Sequence, residues 1–149
     1  MISTIEFLAY EESCIDCCLR LFDENCPRYF SESEKEDYAA FLRTNPSGYF
    51  VGAVDQGIVS AFGLITAADS LRGRLTWILV APASKGHGLG TKMMSLAKKS
   101  AQEKDLCAID IAASHLSAPF FKKFGAQPLS ETVDGWGQGM HRIDMELKL

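Results

Sequence analysis

Three glycines at alternate positions follow an apolar run and precede a helical pattern. Residues 75–91 read LTWILVAPASKGHGLGT, with Gly86, Gly88 and Gly90 after a break at Pro82. Because glycine has no Cβ, its backbone turns tightly and lets an anion lie against the N–H groups. The first amides of the following helix lack intrahelical partners and lie at the positive end of the helix dipole. The segment therefore predicts a phosphate-binding turn built from main-chain groups.

The spacing of these residues separates three phosphate-binding patterns. A Walker loop needs Gly-Lys-Ser/Thr, and Lys92 here comes after Thr91, which excludes that loop. The dinucleotide fingerprint needs a third glycine where Thr91 stands, and it stays open as the second candidate with Asp110 as its acidic partner. The acyl-CoA pattern Q/R-x-x-G-x-G/A is matched by KGHGLG except at its first position, where Lys85 stands for Gln or Arg.

This loop and a second segment resemble the GNAT superfamily of acyl-CoA-dependent N-acyltransferases. Residues 109–126 read IDIAASHLSAPFFKKFGA, which is similar to the family's next strand, its short helix and the glycine that closes it. The two segments have the family's usual separation, and the resemblance covers about residues 75–126. It implies a single N-acetyltransferase domain over residues 1–149. The implied fold is α/β, with a central mixed, mostly antiparallel sheet of six or seven strands, about four helices, and two central parallel strands splayed apart.

The resemblance also implies an activity, which is transfer of an acetyl group from acetyl-CoA to an amine of a small molecule or peptide by direct attack on the thioester. Pantetheine would pair with strand backbone at Leu79, Val80 and Ala81. The pyrophosphate would lie on the loop, which consists of Lys85, Gly86, His87, Gly88, Leu89, Gly90 and Thr91. Ser114 would lie near the pantetheine arm and Phe121 beside the sulfur, and no metal is implied.

The residue at position 121 leaves open a second function, which is CoA binding without catalysis. The family's frequent general acid is a tyrosine at this position, and a phenyl ring cannot donate a proton to the leaving thiolate. Water or another group would then supply the proton, or the chain would be a non-catalytic CoA-binding or sensor domain. A nucleotide-binding domain is the less favoured third reading.

The residue pattern defines the acceptor site and the general base less sharply. By resemblance the acceptor lies between the first two helices and a glycine-rich loop over residues 134–139, where Trp136 would be a substrate-binding lid. The strand over residues 75–80 lacks the glutamate that family members often carry near its start. Histidine suits proton removal near neutral pH, so His141 and His115 are the candidate catalytic bases, with His141 preferred and ordered water as the rival. Glu131 and Asp134 are weaker candidates.

Composition limits the partners and the compartment. The chain has 149 residues, 47% of them hydrophobic, and a net charge of -4 with no basic block, which argues against a nucleic-acid partner. No apolar run approaches the roughly 20 residues that span a bilayer, and the first residues do not read as an export signal. The five cysteines, an odd number, indicate free thiols. We therefore expect a cytoplasmic protein without a membrane partner, and the sequence leaves room for a homodimer.

The apolar pattern predicts the elements that must position this site. A strand near Ile5, a helix over residues 11–22 and a helix opened by the capping box Ser31-x-x-Glu34 come first. A hairpin of strands 49–54 and 58–66, the strand 75–80, the loop and its helix, and a parallel strand 107–113 follow. A short helix that begins at Ser117 and ends at Gly125 and two strands, 127–133 and 140–147, complete the chain. Because hairpins precede the glycine loop, the order counts against a Rossmann fold, which begins with a βαβ unit.

Overall fold

One sheet organises the fold in the computed structural model, which describes residues 5–26, 30–54, 57–66, 70–84 and 88–149. Its seven strands lie in the order β1-β2-β3-β4-β5-β7-β6. Their bounds are β1 Glu6–Ala9, β2 Tyr49–Val54, β3 Gly57–Thr66, β4 Arg72–Val80, β5 Ala108–Ser114, β6 Gln127–Gly137 and β7 Met140–Lys148. β4 and β5 are parallel, and the other neighbouring strands of the described sheet are antiparallel. The predicted mixed, mostly antiparallel sheet is confirmed.

The described residues form four α-helices beside the sheet, in agreement with the prediction of about four: α1 Ile15–Glu24, α2 Lys35–Arg43, α3 Leu89–Glu103 and α4 Ala118–Lys122. The predicted capping box opens α2 through a short 3-10 turn. The Ser31 hydroxyl accepts from the Ser33 amide, and the Glu34 carboxylate accepts from the Ser31 amide at 2.8 Å. These bonds satisfy amides that a helix start leaves without partners.

The helices cover the two faces of the sheet in pairs. Side chains alternate along β3, so Ala61 packs with buried residues of α1 and α2, whereas Phe62 and Leu64 pack with those of α3. We call these two sides the α1–α2 face and the α3–α4 face. Each face has its own buried apolar cluster, and the ends of β4 and β5 lie between the two.

The parallel strands separate after a short paired stretch. β4 and β5 are in register from Arg72 opposite Ala108 to Leu75 opposite Ile111. Beyond this point β4 continues to pair with β3 as far as Val80, and β5 continues to pair with β7 as far as Ser114. The two strands therefore diverge, as predicted, and their facing edges open onto a cleft.

A bulge interrupts β4 at this opening. Leu79 pairs with Ala61 and Thr76 pairs with Gly63, so two residues of β4, Trp77 and Ile78, oppose one residue of β3. Trp77 has φ +44, a left-handed conformation that is uncommon for a bulky residue.

Two buried tyrosines hold the bulge in place. The Tyr49 hydroxyl donates to the Trp77 carbonyl at 2.7 Å, and the Tyr38 hydroxyl lies 2.8 Å from that of Tyr49. Burial raises the pKa of both hydroxyls, so both stay protonated and Tyr38 donates to Tyr49. The bonds satisfy a main-chain carbonyl that the bulge takes out of the regular ladder.

Two predicted boundaries are wrong. β4 begins at Arg72 and not at Leu75, because Arg72 pairs with β5 and its guanidinium binds the Asp110 carboxylate. The predicted loop over residues 134–139 is mostly strand. β6 continues through an irregular stretch to Gly137, and the hairpin turns at Gln138 and Gly139.

Candidate active site

The opening between β4 and β5 is a cleft of about 800 Å³, a volume typical of small-molecule sites. Residues of both diverging strands and of α3 form its walls. They are Arg74, Leu75, Thr76, Trp77, Ile78 and Val80 on β4, Ile111, Ala112 and Ser114 on β5, and Leu89, Gly90, Thr91 and Met93 on α3. The cleft thus begins where the parallel pairing ends.

The start of α3 supplies main-chain donors to one part of the cleft. Gly88 caps the helix with φ +77, and the first helical bond runs from the Lys92 amide to the Gly88 carbonyl. The amides of the next three residues, Leu89, Gly90 and Thr91, therefore have no intrahelical acceptor. Among the described residues, a Cβ at Gly88 would meet nothing within 4 Å, so the described part of the chain leaves the space beside this turn open. These four predicted cofactor residues line the cleft, whereas Lys85, Gly86 and His87 lie outside the described residues.

The three predicted pantetheine contacts, Leu79 and Val80 on β4 and Ala81 directly after it, do not all face the cleft. The Ala81 amide donates to the Val59 carbonyl at 2.8 Å, so in the alternating antiparallel pattern the polar groups of Val80 point away from β3. Val80 lines the cleft with these groups on its open edge. Leu79 is buried in the cluster on the α1–α2 face, and neither Leu79 nor Ala81 is among the described residues lining the cleft.

The end of β5 and the start of α4 form the opposite wall. The Ser117 amide donates to the Ser114 hydroxyl at 3.1 Å, and the Ser114 amide donates to the Ser117 hydroxyl at 3.0 Å. Both serines line the cleft together with Phe121, which is buried. The predicted Ser114 and Phe121 are thus brought to the cleft, and Ser117 is an additional hydroxyl there.

Trp136 closes the cleft from the β6 side. Its indole N–H donates to the Ala113 carbonyl at 2.9 Å, and the Arg142 guanidinium lies 4.9 Å from its ring centre. Arg142 also binds the Asp144 carboxylate at 3.0 Å. Trp136 and Arg142 both line the cleft, so the predicted substrate-binding tryptophan is held against β5 by its own hydrogen bond.

The predicted catalytic histidines lie together outside the cleft lining. The His115 and His141 rings are 4.7 Å apart, and each Nδ1 accepts a main-chain amide, that of His141 for His115 and that of Asp134 for His141. His115 lines a second cavity of about 400 Å³ with Glu131. The described residues that line the central cleft include none of the four candidate bases, which are His115, His141, Glu131 and Asp134.

A buried carboxylate that the sequence reading treated only as a helix cap lines the cleft. Glu34 is 6% exposed, and burial raises the pKa of its carboxyl. The signal was present in the sequence, because Glu34 precedes Tyr38 by four residues and Leu42 by eight and so occupies the apolar side of the helix. Arg74, Lys123 and Arg142 are the basic residues among the described lining.

Two kinds of feature are not found in the part of the chain that the structure describes. No group of three or more His, Cys, Asp or Glu side chains there could hold a metal ion. No helix in those same residues is long and apolar enough to cross a membrane.

Comparison with known proteins decides the family. A model of the acetyltransferase (GNAT) family matches residues 16–126, well over half of the chain. The chain belongs to the GNAT family. This confirms the resemblance in the glycine loop and in residues 109–126, and the seven-stranded sheet with its parallel β4 and β5 is the GNAT fold. No sequence of a curated protein matches this GNAT chain.

Solved structures show the same fold at low sequence identity. Ard1 from Thermoplasma volcanium superposes with a TM-score of 0.81 at 13% identity, over 97% of both chains. The ribosomal-protein-S18-alanine N-acetyltransferase from Escherichia coli gives 0.79 at 10% identity, over 97% of this chain and 94% of that one. N-acetylglutamate synthase from Neisseria gonorrhoeae, solved with coenzyme A and N-acetyl-glutamate, gives 0.73 at 14% identity, over 100% of this chain and 36% of that one.

Proposed function

We propose that this GNAT protein transfers an acetyl group from acetyl-CoA to an amine of a small molecule or peptide. The observation that carries the proposal is the divergence of β4 from β5 over a cleft of about 800 Å³ that meets the free amides of α3. Membership of the GNAT acetyltransferase family and a neighbour solved with coenzyme A support acetyl-CoA as the donor.

The residues of the cleft fit an extended thioester with an anionic end. The pantetheine arm would pair with the open edge of Val80 as an added strand. The pyrophosphate would bind the amides of Leu89, Gly90 and Thr91, where the helix start favours negative charge, and the predicted loop residues before Gly88 would complete its site. Ser114 would lie beside the pantetheine arm and Phe121 beside the sulfur.

Main-chain donors of β4 would also activate the carbonyl. Charge develops on the thioester oxygen as the amine attacks, and fixed N–H groups stabilise it without reorganisation. An amide at or just after the Trp77 bulge would donate to this oxygen. The tyrosine bonds that hold the Trp77 carbonyl keep this stretch of backbone in one conformation.

The two proton transfers need side chains or water. Phe121 cannot protonate the leaving thiolate. Ser114 and Ser117 line the same cleft, so a serine hydroxyl or a water molecule in the cleft would supply this proton. The assignment of His141 or His115 as the base stays a prediction, which pH–rate profiles of His141→Ala and His115→Ala test. A base assignment requires kcat/KM to fall and its acidic limb to move.

The test is thiol release from acetyl-CoA with a panel of amines, paired with calorimetry of coenzyme A and NAD. We expect micromolar to millimolar coenzyme A binding, no NAD binding, and thiol release that depends on one class of amine. Binding of coenzyme A without turnover by any amine would favour the CoA-binding domain that Phe121 keeps open. Binding of NAD in place of coenzyme A would contradict the proposal.

A further inference from the structure

Glu34 is a buried acidic residue that lines the cleft. Burying a carboxylate costs free energy unless it is paired, and one Glu34 oxygen accepts a single neutral bond, from the Ser31 amide at 2.8 Å. No cation forms an ion pair with Glu34 among the described residues. The capping box alone does not require a buried residue, because an exposed Glu or Gln accepts the N-cap amide equally well.

Tyr38 connects the helix turn of Glu34 with the bulge of β4. Glu34 precedes Tyr38 by one helical turn, and side chains four residues apart are neighbours on a helix, with Cβ atoms roughly 5–6 Å apart. The Tyr38 ring centre is 4.9 Å from that of Trp77, the bulge residue. Glu34 and the bulge residues Trp77 and Ile78 line the same cleft, and the bulge is the stretch of β4 proposed to hold the thioester carbonyl.

Aromatic side chains line the same cleft as Glu34. Phe30 and Trp77 stack with ring centres 6.1 Å apart, and both line the cleft together with Trp136 and Glu34. Ring faces attract cations, and a buried carboxylate attracts them more strongly. This combination suits an ammonium group on an apolar body.

We propose that Glu34 binds the acceptor as a cationic primary amine and takes the proton that activates it. The proposal rests on acetyl transfer as the function of the same cleft. Glu34 removes one proton from the ammonium, and the freed electron pair on nitrogen forms the C–N bond to the thioester carbonyl carbon. The C–S bond breaks with its electrons on sulfur, and the thiolate receives the second proton that the nitrogen loses. The products are the N-acetyl amine, the free thiol and protonated Glu34, which returns its proton to solvent.

Several titratable groups lie near Glu34 or line the cleft with it. Asp37 on α2 and Cys26 after α1 lie near it. Three basic residues line the same cleft, namely Arg74 on β4, Lys123 after α4 and Arg142 on β7. Burial is the largest cause that raises the Glu34 pKa, followed by the lowering effect of the Ser31 amide and the raising effect of Asp37. A raised pKa makes the carboxylate a stronger base, and activity should fall as pH drops through it.

The test compares Glu34→Gln with Glu32→Gln. Glutamine still accepts the Ser31 amide, so the first variant removes the charge and basicity while keeping the cap. Glu32 is exposed in the same 3-10 turn and provides the same chemical change outside the cleft. We expect Glu34→Gln to keep its coenzyme A affinity and a Tm no lower than that of the wild type, and to lose about 100-fold or more in kcat/KM with its acidic limb. Glu32→Gln should match the wild type.

An acceptor amine of lower basicity distinguishes a role of Glu34 in proton removal from a role in positioning the acceptor. The probes are 2-phenylethylamine and its 2,2-difluoro analogue. Fluorine makes the ammonium of the analogue more acidic, so this amine is largely in its neutral form at the assay pH. The loss in Glu34→Gln should shrink at least tenfold with the fluorinated amine. Equal losses with both amines would overturn the role as base, and unchanged kcat/KM would overturn the proposal.

Binding keeps the proposal testable if acetyl transfer fails. If the wild type binds coenzyme A and releases thiol with neither probe nor any amine of the panel, calorimetry with 2-phenylethylammonium tests Glu34 alone. We then expect at least tenfold weaker binding by Glu34→Gln than by the wild type. Equal binding by both proteins, or no binding by the wild type, would overturn the proposal independently of catalysis.

Discussion

At the residue scale, Gly88 combines a left-handed backbone with open space beside the free amides of α3. A side chain there would fill the volume in which we place the pyrophosphate. We expect Gly88→Val to weaken coenzyme A binding at least tenfold, which is about 1.4 kcal/mol, in a titration calorimeter.

Gly139 provides the matched control for this prediction. Its φ is +78 against +77 for Gly88, and a Cβ would meet nothing within 4 Å at either residue. Gly139→Val therefore imposes the same backbone strain in the β6–β7 turn, away from the described lining of the cleft. Equal losses of affinity in the two variants would show that strain, and not occupied space, is responsible.

Some functional residues could be predicted from the sequence, and others could not. The glycine pattern was informative because a main-chain anion site demands residues without Cβ at fixed spacing. Leu79 and Ala81 were grouped with Val80 because strand periodicity alone cannot say which residues face the cleft, and the extra residue at the bulge shifts that alternation. Glu34 was assigned only to the cap that it also forms, because its burial depends on the packing of α2 against β4.

At the scale of elements, Tyr38 on α2 and Tyr49 on β2 hold the bulge of β4 through hydrogen bonds. Tyr49→Phe would leave the Trp77 carbonyl and the Tyr38 hydroxyl without their shared partner in a buried site. We expect a loss of about 1–3 kcal/mol in the free energy of unfolding, measured by urea denaturation, and a lower kcat with acetyl-CoA.

Tyr10→Phe is the control for the loss of a buried hydroxyl. The Tyr10 hydroxyl is buried and has no hydrogen-bond partner among the described residues, and burial raises its pKa to about 12. Removing it should leave stability unchanged or increase it, because the hydroxyl loses its hydration on folding without a described bond in return. A similar loss in both variants would contradict the role of Tyr49 in holding the bulge.

The β6–β7 hairpin contributes Trp136 to the part of the cleft where we propose that the acceptor binds. Trp136→Ala removes both the ring and its bond to Ala113, while Trp136→Phe keeps an aromatic ring and removes the bond. We expect the alanine variant to raise the acceptor KM at least tenfold, and the phenylalanine variant to raise it less, with coenzyme A affinity unchanged in both. Parallel losses of coenzyme A affinity would indicate general disruption of the hairpin.

The elements themselves were largely predictable, and the reason is periodicity. Apolar spacing and the capping box predicted the four helices, and the predicted crossover made β4 and β5 parallel. The extension of β6 through Asp134 and Gly135 was missed, because aspartate and two nearby glycines favour a turn in isolation. Asp134 has φ +54, and its carboxylate accepts from the Gly139 amide at 2.7 Å, which lets the strand continue around this irregular stretch.

At the scale of the whole molecule, one guanidinium joins three strands where β4 and β5 are still paired. Arg72 on β4 binds Asp110 on β5 at 2.5 Å and Glu146 on β7. The hydrogen bonds from Arg72 hold the pKa of Asp110 below its usual range. A lowered folded-state pKa contributes stability above the unfolded value, near 3.9, and this stability is lost as pH falls through the folded value.

We therefore expect Asp110→Asn to unfold at lower temperature than the wild type at pH 7, with the difference shrinking as the pH falls below about 4. Thermal unfolding between pH 7 and pH 3 measures this trend. Asp105→Asn is the control, because Asp105 is exposed, forms no ion pair with other described residues, and has φ +56, which asparagine tolerates. A difference between Asp110→Asn and the wild type that is independent of pH would contradict the prediction.

The divergence of β4 from β5 has a consequence for how this family evolves. The polar groups at Val80 and at the start of α3 belong to the main chain, and point substitutions that keep the backbone in place leave such groups unchanged. Selection can therefore preserve the geometry while almost every side chain around it drifts, and structures with 10–14% identity retain the fold over most of this chain. The positions that should resist drift are the few that shape the backbone, namely Gly88 and the tyrosines behind Trp77. Trp136 lines the part of the cleft where we propose that the acceptor binds, so residues at this position are where descendants of one ancestor would diverge in the amines they accept.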